Sequence, residues 1–306
     1  MGKPRLSIVI PAFESHATVA DSLKAIEKQD LQGFEVILVD SSPTDRGAEI
    51  VARQFPGVRL VRPAGRLLPH EARNLGVSHS SADLIVFTDP DIYPSPSWLD
   101  RLANAHAQEG GLIVGSVLCH GRKWLDVGTH LAKFDLWLPG GSRRPIEISP
   151  TLNCLCSRDL FEKVGGFRGE FVIGDTIFSW NVARAGYPVT FEPGAVVWHH
   201  HMASWGSLLR ERYDRGVEFG RMRSRFGGWS WPRLALHSLV TLLPLRWAGL
   251  TIRTFRHSAA AGLLNDFLLT LPITSSAHAA WLAGESRGFL GELWRRARRR
   301  PAASGR

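Results

Sequence analysis

A chain of 306 residues with 44% hydrophobic and 21% charged residues can bury a large core, which excludes global disorder. Three cysteines, Cys119, Cys154 and Cys156, make no even set and no CxxC pair, so a disulfide scaffold is excluded and a packing role in a reducing compartment is expected. The net charge of +9 is uneven: residues 1–200 hold 20 Lys and Arg against 22 acids, whereas residues 201–306 hold 17 Arg, no Lys and 6 acids.

The first 200 residues alternate short apolar runs with amphipathic segments. MGKPRLSIVIPAF enters a strand-like run at once, and no export signal is expected there. The spacing predicts a strand over 6–13, a helix over 18–29, a strand over 34–42 and a helix over 44–55. A strand over 58–62, a helix over 68–80 and a strand over 82–91 follow. Such alternation predicts an α/β fold with a largely parallel sheet and a ligand crevice at the strand C-termini. Two strands deliver acids there, Asp40 and Asp89. No GxGxxG follows the first strand, so a dinucleotide-binding domain is disfavoured.

The stretch VFTDPDIYP places Asp89 and Asp91 on either side of Pro90. Two carboxylates in one short loop repel unless a cation neutralises them, and oxygen ligands suit Mg²⁺ or Mn²⁺. The alternative is local: a D-x-D can simply form a turn or cap the helix that Ser95, Ser97 and Trp98 announce.

Several blocks in order decide between these readings. LSIVIPAFESHATVADSLKAIEKQ, FEVILVDSSPTD, HEARNLGVSHSSADLIVFTDPDIYPSPSWLDRL, LFEKVGGFRGEF and GDTIFSWNVARAGYPVTFEPGAVVWHHH together resemble the family-2 glycosyltransferases. The likeness covers about residues 5–202. It implies a GT-A type nucleotide-diphospho-sugar transferase fold, Rossmann-like with a mostly parallel mixed sheet. It also implies that Pro11, Ala12, Phe13, Glu14, Asp40, Arg73 and Asp89 bind the donor nucleotide. Asp89 and Asp91 match the metal pair, and His199 matches a histidine that completes the site; His200 and His201 remain alternatives. Asp175 matches the acid that serves as general base toward the acceptor hydroxyl in an inverting displacement. The implied cofactor is Mg²⁺ or Mn²⁺, and the implied partner is a nucleotide-diphospho-sugar donor.

Two departures stand out. Asp40 is followed by Ser41 where the pattern has a second acid, and Gly174 replaces the Glu of the Glu-Asp block. The second loss is the only support for a non-catalytic nucleotide-sugar-binding or scaffold protein on the same fold. A nucleotidyltransferase shares the metal and nucleotide needs but has no use for the GGF…GDT block. The Gln-x-x-Arg-Trp block of processive synthases is absent, which favours single transfers.

From Trp205 the texture changes. WGSLLRERYDRGVEFGRMRSRF predicts a basic amphipathic helix, and longer apolar runs follow, broken by Pro244, Arg246, Asp266 and Pro272. The longest uncharged run, Phe267 to Gly284, contains five Ser, Thr and His residues. A clean span needs about 20 mainly apolar residues. Interfacial helices are therefore expected, with the arginines of residues 295–300 on anionic headgroups and no nucleic acid bound. The expected organisation is a catalytic domain over 1–203 and a basic helical region over 204–306. The expected place is the cytoplasmic membrane face, with a lipid-linked or saccharide acceptor.

Overall fold

The computed structural model describes residues 3–168, 172–201 and 204–298. All seven residues of β1 (Leu6–Ala12) are buried, as a continuous apolar run requires of a central strand covered on both faces. It pairs in parallel with β2 (Phe34–Asp40) on one side and β4 (Leu84–Thr88) on the other, and β3 (Val58–Val61) extends the sheet beyond β2. Helices α1 (Val19–Glu27), α2 (Arg46–Gln54) and α3 (Pro69–Ser78) form the crossovers. These seven elements follow the sequence expectation to within a few residues at each end.

The expected strand over 82–91 is shorter than its apolar pattern. β4 stops at Thr88, because Pro90 cannot donate to a ladder and the Asp89 carbonyl instead accepts the Ile92 N–H at 3.3 Å. The turn leads into β5 (Ile92–Pro94) and α4 (Trp98–Glu109). The sheet then becomes mixed. β8 (Asn153–Ser157) lies antiparallel between β4 and β6 (Leu112–Cys119), and β9 (Val189–His199) runs parallel to β6. Among the described residues the order is β3-β2-β1-β4-β8-β6-β9-β5, with the two-residue β7 (Arg144–Pro145) also on β9.

Buried Asn153 holds this switch of direction together. Its amide donates to the carbonyls of Ser116 and Ala195 and its oxygen accepts from the Trp98 indole at 2.8 Å. Every polar atom is thus satisfied, the condition for burying an amide at all. Beside it, Cys154 and Cys156 project into a core with Phe87, Phe161, Phe167 and Phe178. Burial pushes the Cys154 thiol up to about 12, so it packs as a neutral group.

The chain forms two units, one of Met1–His120 with Trp137–His200 and one of Gly121–Leu136 with His201–Arg306. Residues 121–136, which the sequence reading groups with the first region, thus join the helical second unit. There α5 (Trp124–Phe134) lies so close to the last helix that a Cβ on Gly128 would stand 2.8 Å from Ile273.

The remaining helices are α8 (Trp205–Phe226), α9 (Trp231–Val240), α10 (Pro244–Ala260) and α11 (Leu264–Arg298); α6 (Arg158–Lys163) and α7 (Gly174–Arg184) belong to the first unit. Pro244 opens α10 at a position that needs no N–H, whereas Pro272 lies inside α11 without ending it. Glycines bring α8 and α11 into backbone contact. A Cβ at Gly216 or Gly220 would meet carbonyls of α11 at 2.4 Å, and one at Gly284 or Gly288 would meet carbonyls of α8 at 2.1 and 2.2 Å.

Among the described residues of this unit three carboxylates are buried, and each is clamped by arginine. Glu285 pairs with Arg223 and Arg246 at 3.3 and 3.2 Å. Glu292 pairs with Arg225 and Arg296 at 2.8 and 2.9 Å and with Arg295. Asp135 pairs with Arg253 at 2.8 Å and accepts from the Thr254 hydroxyl at 3.1 Å. Arg295 and Arg296 therefore answer an internal charge rather than stand ready for headgroups, because a buried carboxylate without a counter-charge is costly. Arg299 and Arg300 lie outside the described residues.

Burial alone would raise Asp135, but hydrogen bonding from His257 and Arg253 outweighs it and holds the carboxyl at about 2. His278, bonded to Thr254 at 3.0 Å, is held down to about 4, chiefly by burial. Between pH 6.5 and 4 the unfolded chain binds a proton that folded His278 refuses. The stability it confers is therefore full above pH 6.5 and is lost as pH falls toward 4. A drop in urea midpoint between pH 7.5 and pH 4.5 is expected, worth roughly 3 kcal/mol from this residue. In His278→Gln the drop shrinks; an equal drop in wild type and variant would remove His278 as its source.

Candidate active site

The crevice forms where the parallel strands end. β1 and β2 are in register from Leu6 with Phe34 to Ala12 with Asp40, and Val9 faces Phe87 of β4. Residues just beyond these strands therefore meet at one level. They line a cavity of about 290 Å³ that includes Pro11, Ala12, Phe13, Ser41, Asp89 and Asp91. Arg66 also lines it, its guanidinium 4.2 Å from the Phe13 ring centroid. Charge and exposed aromatic face together suit an anionic ligand carrying a flat ring.

The loop after β1 is held in an uncommon conformation. Glu14 has φ +52°, the one positive φ outside glycine among the described residues. Its N–H donates to Ser42 Oγ at 2.7 Å, and that hydroxyl donates to Asp40. Asp40 also accepts the Ser42 N–H at 2.9 Å and Arg62 at 3.1 Å, and its side chain is 2% exposed. In this arrangement Asp40 is the buttress of the loop, while its neighbour Ser41 reaches the cavity.

Arg73 is set by helix packing. His70, Arg73 and Gly76 recur every three residues, one face of α3. A Cβ at Gly76 would stand 2.4 Å from Val9 Cγ1, so only glycine lets the helix lie this close to β1. Arg73 is thereby carried under the sheet end, 2% exposed, and forms an ion pair with Asp89. Its Nε has no hydrogen-bond partner among the described residues. The sequence reading has Arg73 reaching the donor; here it stands behind Asp89 and fixes it. Asn74 is a position the motif contains but the reading passed over. It clamps the Phe167 backbone by two hydrogen bonds, 2.8 and 3.0 Å long, joining ARN to GGF.

Asp91 and His199 meet across the β5–β9 ladder, where Ile92 faces His199. Their Oδ2 and Nε2 atoms lie 3.6 Å apart. His200 donates its backbone N–H to the Asp91 carbonyl at 3.0 Å, and His201 lies against His130 at 3.2 Å in the helical unit. Of the three histidines, His199 is the one whose ring meets Asp91. The spacing suits two ligands of one octahedral ion, whose neighbouring donors are about 3 Å apart for bonds of about 2.1 Å.

Asp175 sits in the first turn of α7, half-buried, and accepts the Thr176 N–H at 2.8 Å. The charges of Arg73, Asp89 and Asp175 all bear on the same buried Cys154 sulfur. Gly174 is packed against His70: a Cβ there would be 2.5 Å from the ring Cδ2. The position of the missing acid is thus filled from α3.

Comparison with known proteins agrees with this geometry. Residues 7–168 match Glycosyl transferase family 2. Glycosyltransferase AglE of Haloferax volcanii is 24% identical over 249 residues, which cover 78% of this chain and 79% of that protein. The undecaprenyl-phosphate 4-deoxy-4-formamido-L-arabinose transferase of Edwardsiella ictaluri is 34% identical over 122 residues, 37% of this chain and 36% of that protein. In fold, the chain is similar to the mannosyltransferase PcManGT of Pyrobaculum calidifontis, solved with GDP-Man and Mn²⁺. The TM-score is 0.63 at 20% identity, covering 96% of this chain and 88% of that one. The fold is that of the GT-A type, a mixed and mostly parallel sheet followed by helices. With more than half of its residues inside the family match, the chain belongs to glycosyl transferase family 2 and is a glycosyltransferase.

Proposed function

We propose that this enzyme performs a metal-dependent, inverting transfer of a sugar from a nucleotide-diphosphate donor to a lipid-linked or other membrane-proximal hydroxyl. The observation that carries the reading is the Asp89–Asp91 turn: both carboxylates line the cavity beyond β1, and Asp91 has His199 at 3.6 Å. Oxygen and imidazole donors fit a divalent ion, so Asp91 and His199 would hold Mg²⁺ or Mn²⁺, with Asp89 on the donor side. Such an ion supplies Lewis-acid stabilisation of charge on the departing diphosphate.

The chain's own residues do the rest. Pro11, Ala12, Phe13 and Glu14 offer a pinned loop to the nucleoside, buttressed by Asp40, and Arg66 adds positive charge at the wall. Arg73 keeps Asp89 in place through their ion pair. Asp175 takes the proton from the acceptor hydroxyl as its oxygen bonds to the anomeric carbon and the bond to the diphosphate breaks.

The membrane-proximal part of the proposal rests on the second unit. Among the described residues no single helix is long and apolar enough to cross a membrane, although α9 and α10, bent by 71°, pass that test as a pair. Around their junction Leu239 is 71% and Leu245 81% exposed, with Leu236, Leu242 and Leu243 also outward. Arg233 and Arg256 are exposed on the same two helices. Leucines backed by arginines suit burial at an anionic interface rather than passage through it.

Asp175→Asn is expected to lower kcat by ~10²–10⁴-fold while donor binding persists; unchanged turnover would refute the base assignment. EDTA should abolish transfer, Mn²⁺ should restore it, and Asp91→Ala should mimic the chelated enzyme. Full activity in EDTA would take the metal out of the mechanism. In flotation with anionic phosphatidylglycerol vesicles, wild type should rise with the lipid and Leu239→Glu/Leu245→Glu should stay behind. Equal flotation of the two proteins would dismiss the α9–α10 contact.

A further inference from the structure

Residue 174 is glycine for a reason of space rather than backbone. Its φ is not positive, so an L side chain is conformationally allowed. What forbids one is contact: a Cβ would lie 2.5 and 2.9 Å from Cδ2 and Cγ of His70, and 2.9 Å from the Arg168 carbonyl. His70 cannot simply turn away. It is 5% exposed, its ring stacks on Phe167 at 5.2 Å and 29°, and Asn74 fixes the Phe167 backbone.

The same imidazole touches Arg73. Nη1 of Arg73 lies 3.4 Å from Nδ1 of His70. A guanidinium has no lone pair to offer, so Nδ1 accepts, and the ring proton belongs on Nε2. Arg73 is a buried cation whose Nε is unpartnered among the described residues. Its orientation is therefore set by the Asp89 carboxylate on one side and by His70 on the other. Remove the second and the guanidinium can rotate, taking Asp89 with it.

We propose that His70 is a positioning residue of the donor site, matched to Gly174: it steers Arg73 onto Asp89 and occupies the volume that a side chain at 174 would need. The inference rests on the reading of Asp89 as part of the donor site. It also explains the departure at 174 without loss of catalysis, since the space is filled by a group that serves the same site.

The test uses the full chain, isothermal titration with GDP and with UDP in Mn²⁺, and thermal melting. His70→Phe keeps the ring and its stacking but removes the acceptor; His70→Asn keeps an acceptor near Nδ1 with less bulk. With His70→Phe, binding of the nucleotide that wild type takes should weaken ~10-fold, with KM for the donor rising more than kcat falls. His70→Asn should bind within about threefold of wild type, the cost of a weaker but retained acceptor. Gly174→Ala should weaken binding by displacing the ring, and should cost clearly less in the His70→Asn background, where the tightest contact, that with Cδ2, is gone. Wild-type affinity in His70→Phe overturns the inference, as does full additivity of Gly174→Ala and His70→Asn. Should His70→Phe fail to fold, the additivity comparison decides alone. A wild-type chain that binds neither GDP nor UDP overturns the donor-site reading and this inference with it.

Discussion

The distance at which α3 rests on the sheet governs the site. Gly76 allows a contact that any Cβ would push apart by more than an ångström, and everything on the same helical face moves with it. Arg73 arrives under the end of β4 only because of that contact, and a buried guanidinium must then find an anion. Asp89 is that anion. The turn that carries Asp89 also carries Asp91 to His199, so one helix–sheet distance propagates through an ion pair to the candidate metal ligands. The arrangement is stiff because its members are fixed twice: Asp89 by the turn and by Arg73, Phe167 by stacking and by Asn74.

The second unit solves a different problem with similar means. Its helices approach through glycine rather than through a broad apolar interface, which leaves Glu285 and Glu292 buried between them. Each acid is then met by arginines from other turns or other helices. Close backbone contact supplies packing, and the ion pairs fix which residues face each other. Asp135 with Arg253, Thr254 and His278 repeats the device beside α5.

Much of the first unit is legible in the amino-acid sequence. The alternation of apolar runs and amphipathic segments predicts β1 to β4 and α1 to α3, since burial on both faces leaves continuous runs. The second half of the sheet is less so, because β8 and β9 lie antiparallel and parallel to neighbours far away in sequence, and pairing direction leaves no trace in a single strand. Among site residues, Asp91 and His199 meet at 3.6 Å. Asp40 and Arg73 are in place but turned inward, because Arg62 and Asp89 compete for them. The role of Gly174 could not be read at all: its explanation is a ring from residue 70, and such proximity is a property of the fold. Arg295 and Arg296 read as free surface charge for the same reason, since their partner Glu292 shows its burial only once the helices are assembled.

Those internal pairs set one population of the second unit's arginines apart from another that lies at the surface. Arg223, Arg225, Arg246, Arg253, Arg295 and Arg296 are spent on acids with almost no solvent access. Arg210, Arg221, Arg233, Arg256 and Arg287 are exposed. Dissolved ions screen the second population more than the first, because at ~0.15 M salt partly buried pairs, whose acids lie inside, are screened much less than exposed charges. Ionic strength therefore acts on the two separately: rising salt strips the outward attraction of this surface for anions while the helices beneath keep their pairing.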